Sequence, residues 1–178
     1  MNLFDPFWSD IEYLYWYHML NTGIKMPVST GSDWFVSSAN RVYSQTNGDF
    51  AYEPWLDGVR NGRTFITNGP ALFMMAGGLE PGETLEVEKG TVIPVHANWN
   101  SYYAVQRVEI LFNGNVVERR DFAEGVTIGH LEAEITADAD GWIAARLGSG
   151  KRDSFNQPIW AHTSPVYVTG TGQQSEAS

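Results

Sequence analysis

Four histidines and one carboxylate are the residues of this chain whose chemistry invites a functional reading. His18, His96, His130 and His162 are its whole complement of imidazoles. No two of them stand at the His-x-His or His-x-x-x-His spacing that presents two ring nitrogens to one metal ion. His96 and His130 take the outward parity of alternating segments and read as solvated surface groups. His18 falls on a helical stripe with Ile11, Leu14, Tyr15 and Met19, where a buried, hydrogen-bonded imidazole is expected. His162, in Trp160-Ala161-His162-Thr163-Ser164-Pro165, is the candidate catalytic histidine, set against a purely structural role. Asp33 follows an extended segment in Gly31-Ser32-Asp33. A β/α barrel presents its active-site groups there, and an Asx-turn or helix N-cap uses the same residue type in the same place. The serines have no histidine at a recognisable triad spacing, though triad partners meet in space and not in sequence. With no cysteine, disulfides, thiolate metal sites and cysteine nucleophiles are excluded. Neither Gly31 nor Gly77-Gly78 is followed by the Gly-Lys-Ser/Thr of a phosphate loop.

The aromatic residues offer a second chemistry. The chain holds 7 Trp, 8 Tyr and 9 Phe, and 14 of these 24 precede Ala71. Trp34, Tyr43 and Trp55, with Phe35 and Tyr52 near them, form either a stacking surface for a sugar or hydrophobic ligand, or core and a contact face for another domain.

Composition narrows the partners. A chain of 178 residues that is 43% hydrophobic can build a real core. Its 21 acidic against 11 basic residues give a formal charge of −10, which argues against a nucleic-acid surface. No apolar run approaches the roughly 20 residues that span a bilayer. Met-Asn-Leu-Phe-Asp-Pro lacks the basic start and apolar stretch of a secretory signal. A soluble chain with no nucleic-acid and no membrane partner is expected.

The elements that must position these groups are legible in outline. Ser9 and Glu12 have capping-box spacing, Trp8 and Tyr13 stand where a hydrophobic staple packs, and Asn21-Thr22-Gly23 stops the helix between them. With Tyr13, Tyr15, Trp16 and Tyr17 in one run, that helix is apolar almost all round and should be covered on more than one side. Lys25–Thr30 reads as an edge-like extended segment containing Pro27. Pro54 and Gly62 bracket a second helix, with Trp55, Leu56 and Val59 inward. Residues 62–67 read as a strand closed by Asn68-Gly69-Pro70.

After Pro70 the pattern is β throughout. Leu85 and Val87 alternate with polar neighbours before a Lys89-Gly90 turn. Ile93, Val95, Ala97 and Trp99 share one face, and Val108, Ile110 and Phe112 another. Asn113-Gly114 supplies a two-residue hairpin into Val116-Val117. Leu131, Ala133 and Ile135 alternate with acids; Trp142–Leu147 and one last strand, Ile159–Val168, follow. The expected fold is mainly β: an antiparallel, immunoglobulin-like β-sandwich of seven or eight short strands with polar outer faces, preceded by a small α/β segment. The organisation read from this is 1–70 as the α/β part with its connector, 71–168 as the sandwich, and 169–178 as a disordered tail.

Several of these segments occur together in one known family. Leu20-Asn21-Thr22-Gly23, Gly31-Ser32-Asp33, Asn40-Arg41-Val42-Tyr43, Gly62-Arg63-Thr64-Phe65-Ile66-Thr67-Asn68-Gly69-Pro70 and Ala161-His162-Thr163-Ser164-Pro165-Val166-Tyr167-Val168 stand in that order. From about Tyr13 to Val168 the chain resembles the carboxy-terminal portion of the carbaryl-hydrolase-like metallohydrolases, of the polymerase-and-histidinol-phosphatase (PHP) superfamily. The resemblance implies the end of a distorted β/α barrel followed by a sandwich. It also implies divalent-metal hydrolysis of an ester, amide or phosphate-type bond. Carried over, Asp33 is one metal-ligating carboxylate of the complete barrel. Phe35 stands where the superfamily motif often continues with histidine. The family's His-x-His pair, its Glu and its middle histidines have no counterpart here, and one Asp does not make a metal centre. The expectation is a carboxy-terminal fragment, inactive and without a bound metal by itself. Its partner is the missing barrel region, or a second copy in a homodimer. The alternatives are a stand-alone carbohydrate- or hydrophobic-ligand module using Trp34, Tyr43 and Trp55, and an assembly domain that self-associates through its aromatic surface.

Overall fold

Alternation decides the largest part of the structure. A computed structural model describes residues 1–3, 11–31, 38–46, 48 and 50–172. Its elements are β1 (Asn2–Leu3), α1 (Ile11–Asn21), β2 (Ser29–Thr30), β3 (Arg41–Ser44), α2 (Tyr52–Arg60), β4 (Thr64–Thr67), β5 (Ala71–Ala76), β6 (Thr84–Glu86), β7 (Val92–Phe112), β8 (Asn115–Thr136), β9 (Gly141–Arg152), β10 (Pro158–Thr163) and β11 (Val166–Thr169). The fold is mainly β and mainly antiparallel. In β7, Ile93, Val95, Ala97 and Trp99 are buried while Pro94, His96 and Asn98 are exposed, as a period of two requires.

The strands fold over one another as a sandwich. One layer joins β5, the first half of β7 and the second half of β8, in register from Ala71↔Asn100 to Ala76↔Val95 and from Val92↔Thr136 to Asn100↔Ile128. The other runs β3-β4-β10-β9, with the second half of β7 and then β11 also on β9, and β6 parallel to β11. Leu72, Met74, Trp99 and Leu131 of the first layer meet Val108, Ile110, Ile143 and Leu147 of the second in one buried core. Burial of this kind is the main stabilising term, roughly 25 cal/mol per Å² of apolar surface removed from water.

Two of the expected strand boundaries are corrected. The segments read as separate strands between Val92 and Thr136 are two continuous strands of 21 and 22 residues, bent where the register shifts between Asn100 and Val105. Such irregularities let one strand pass from layer to layer. The single last strand is instead two, β10 and β11, parted at Ser164-Pro165. Pro165 has no N–H for a ladder, and both pieces pair with β9. The Asn113-Gly114 turn forms as read, with φ of 52° and 84° at its two residues.

A second core lies on the far face of the β9 layer. Tyr13, Trp16, Tyr17 and Leu20 of α1 pack with Leu111, Trp142, Ala144 and Trp160. The face expected to point inward is the exposed one: Ile11, Leu14, Tyr15, His18 and Met19 all lie at the surface. His18 is therefore not a buried imidazole. A helix apolar all round gives periodicity nothing to choose between, and ring stacking on the sheet makes the choice. Because α1 covers it, the β9 layer is buried on both faces, and Glu109, which alternates with the inward Val108 and Ile110, is only 3% exposed. It pairs with Arg146 at 2.7 Å. The helix stops where its sequence says, with Gly23 at φ 83°. Ser9 and Trp8 lie outside the described residues.

The cut near Pro70 falls between β4 and β5, and strands from both sides of it enter the same sheet. At the other end, Thr169 closes β11, and Thr171 is buried, donating through its backbone N–H and its hydroxyl to Asp140 Oδ1 at 2.9 and 2.7 Å. The stretch read as tail thus contributes structure as far as Thr171.

Candidate functional site

His162 sits between α1 and the sheet. It is fully buried, stacked on Tyr13 with ring centroids 5.5 Å apart, and edge-on to Trp16 at 5.0 Å. Its Nδ1 lies 2.7 Å from the Thr163 carbonyl and its Nε2 lies 2.5 Å from the Tyr17 hydroxyl. A carbonyl only accepts, so Nδ1 carries the proton and Nε2 accepts from Tyr17. Burial holds its pKa down at about 3, the Thr163 bond opposing and the Arg146 charge adding to the drop. Burial likewise drives the Tyr17 phenol well above its ordinary range. Arg146 Nη1 reaches the same hydroxyl at 3.5 Å and its Nε binds Glu109. The result is a sealed chain from Glu109 through Arg146 and Tyr17 to His162. The imidazole is neutral, has both nitrogens engaged and makes no contact with solvent. Its work is to join helix and sheet.

The segment Gly62–Pro70 is also more than a strand and a turn. Asn68 is buried, donates to Asp153 Oδ2 at 3.0 Å and to the Pro158 carbonyl at 2.7 Å, and accepts from Trp160 N at 2.8 Å. One side chain thereby fixes the start of β10. Thr64 Oγ1 and Ser164 Oγ, 2.7 Å apart, pin the same two strands, and Val28 N donates to Ser164. Turn chemistry marks Asn68, but its long-range partners carry no sequence signal.

A groove of about 580 Å³ opens where β3 and β4 face β5. Tyr43 stacks on its cross-strand partner Phe65, centroids 5.0 Å apart and planes 12° from parallel, and Phe73 meets Phe65 edge-on at 5.5 Å. Tyr43 and Phe73 keep more than half their surface exposed. Ser44, Gln45, Asn98, Glu80 and Arg63 supply polar lining. Behind Ser44, Gly58 of α2 lies so close to β3 that an added Cβ would fall 1.9 Å from Ser44 Oγ, so glycine is what lets the helix pack on this strand.

Of the three aromatic candidates, Tyr43 lines this groove. Trp55 is half-buried on α2 beside Tyr52 and is not among the lining residues, and Trp34 lies outside the described residues, as does Asp33. Sequence reading missed Phe65, Phe73 and Arg63. Bulky residues at successive positions of Leu72-Phe73-Met74-Met75 were the available signal that β5 presents apolar groups on both faces. His96 and His130 are exposed, His96 lying 3.3 Å from Glu132 across the strands. Among the described residues no group of three or more His, Asp or Glu side chains could hold a metal ion. The divalent-metal chemistry implied by the resemblance thus has no complete donor set among them. No helix among them is long and apolar enough to cross a membrane.

No family model matches the chain, and no curated protein does. Among solved structures it is similar to the CARDB domain of a Pyrococcus furiosus protein, at 15% identity and a TM-score of 0.34. That match covers 57% of this chain and 96% of the other. It is also similar to a lytic polysaccharide monooxygenase from Jonesia denitrificans, at 14% identity and a TM-score of 0.31, over 85% of this chain and 92% of that one. Likenesses this distant assign no function.

Proposed function

We propose that this chain is the sandwich-bearing portion of a PHP-type metal-dependent hydrolase, with Asp33 as one ligating carboxylate and the other ligands supplied by a β/α barrel outside it. The observation that carries this reading is the parallel pairing of Asn2–Leu3 with Ser29–Thr30 on either side of α1. Parallel neighbours need a crossover, and strand-helix-strand is the unit from which β/α barrels are built. Gly31-Ser32-Asp33 follows β2 directly, at the carboxyl end of a parallel strand, where such barrels carry their active-site groups. Each of the two strands has an outer edge unpaired among the described residues, the position further barrel strands would take.

The segments that carry the resemblance also support it. Residues 40–43, 62–70 and 161–164 are far apart in sequence, yet β3, β4 and β10 are adjacent strands, and α1 ends in Leu20-Asn21-Thr22-Gly23 on the face behind them. On this reading the sandwich is accessory: it braces α1 and β2, the elements that precede Asp33 in the chain.

The reading predicts an in-frame extension upstream of the Met1 codon that encodes a His-x-His pair; an in-frame stop codon there would overturn it. Calorimetric titration of this chain with Zn²⁺ or Mn²⁺ should reveal no sub-micromolar site. A tight site abolished by Asp33→Ala would show that the chain holds its own metal centre, contrary to the proposal.

A further inference from the structure

The groove between β3, β4 and β5 contains an unmet chemical requirement that the hydrolase reading does not use. Arg63 extends into it half-buried, and its Nε–H is fully covered with no acceptor. None of the ion pairs among the described residues includes Arg63. That N–H is closed to a ligand oxygen as it is to water, so a ligand in the groove would meet the terminal amino groups of the guanidinium, which no ion pair among the described residues occupies. The planar fork of arginine suits a carboxylate, which accepts two parallel hydrogen bonds from it.

The rest of the wall is flat and apolar. Tyr43 and Phe73 leave ring surface open on either side of Phe65, and Met75 of β5 is 42% exposed beside them. Aromatic faces of this kind gain most from an offset-stacked or edge-on ring. We propose that this groove binds a planar aromatic monocarboxylate, its ring against Tyr43, Phe65 and Phe73 and its carboxylate on Arg63. Glu80 lines the same groove without pairing with Arg63, so a dianion would meet about twice the repulsion that a single carboxylate does. The proposal is independent of the metal-centre reading: it uses no residue of the Asp33 segment.

Indole-3-carboxylate is a suitable probe, with indole, acetate, phenyl phosphate and a neutral oligosaccharide as comparisons. Calorimetry on the full chain should give a Kd of roughly 0.1–1 mM for the carboxylate, within the ligand-efficiency range for a molecule of this size. Indole and acetate should each bind at least about tenfold more weakly, since each lacks one of the two contacts. In ¹⁵N spectra the Arg63 guanidinium resonances should shift with the carboxylate and not with indole. Arg63→Met and the charge-conserving Arg63→Lys should each weaken binding about tenfold or more, because lysine lacks the fork. Phe73→Ala, at an exposed position that leaves the fold intact, should weaken it several-fold. Equal binding of indole and its carboxylate, or an unmoved Arg63 resonance, would overturn the proposal. So would an oligosaccharide or phenyl phosphate that binds more tightly than the carboxylate.

Discussion

The Tyr17 hydroxyl donates to Nε2 of His162 over 2.5 Å, joining α1 to β10 across 145 residues of sequence. Around it the other groups are committed: Nδ1–H to the Thr163 carbonyl, and Arg146 to Glu109 and the same phenol. The catalytic candidate thus lies at the polar centre of an aromatic core formed by Tyr13, Trp16, Tyr17 and Trp142.

Removing the phenol alone should therefore cost stability without dissolving the helix–sheet packing. Tyr17→Phe keeps the ring and leaves Nε2 buried without a donor, a loss of about 1–3 kcal/mol. Urea denaturation should show a lower midpoint with an unchanged slope. No loss of stability would mean that the bond contributes nothing net.

The same site fixes a pH dependence. The folded-state pKa of His162 is held at about 3 by burial, against about 6.5 for an unfolded imidazole. Above pH 6.5 both states are neutral and the full stability is present. As pH falls from 6.5 towards 3, only the unfolded chain takes the proton, and His162 removes roughly 1 kcal/mol of stability per pH unit. The His162 ring protons should show no titration in NMR spectra between pH 8 and 5. A midpoint near 6.5 for that ring would contradict its burial as a neutral group.

Glu109 and Arg146 make a separate, sharper case. Their side chains are 5% and 13% exposed, so truncating one strands the other's charge. Arg146→Met should destabilise by about 3–5 kcal/mol, and Arg146→Met with Glu109→Leu should recover a large part of that. Denaturation of the two single variants and the double variant gives the coupling. Additive losses would show that the pair acts as two independent groups.

Several features were legible because their causes are local. The Asn113-Gly114 turn needs two positive φ values, which this dipeptide adopts readily. Gly23 ends α1 for the same reason. The inward set Ile93, Val95, Ala97 and Trp99 follows from strand geometry alone. The break at Ser164-Pro165 was also marked locally, by a proline that cannot donate, and was hidden only by the apolar run on either side.

What the sequence determined by itself, then, is the β character of the chain, its main hairpin, and which residues fill the space between the two layers, since each follows from a period or a backbone preference within a few residues. Tertiary structure alone decided the rest. α1 is apolar all round, so its buried face was set by the rings of Trp142 and His162 waiting on the sheet. Glu109 looks like any outward glutamate until α1 covers its strand. The groove needs Tyr43, Phe65 and Phe73 from three different strands, and no spacing along the chain records that they meet. Periodicity describes one element's own asymmetry; which surfaces face each other depends on pairings up to 145 residues long.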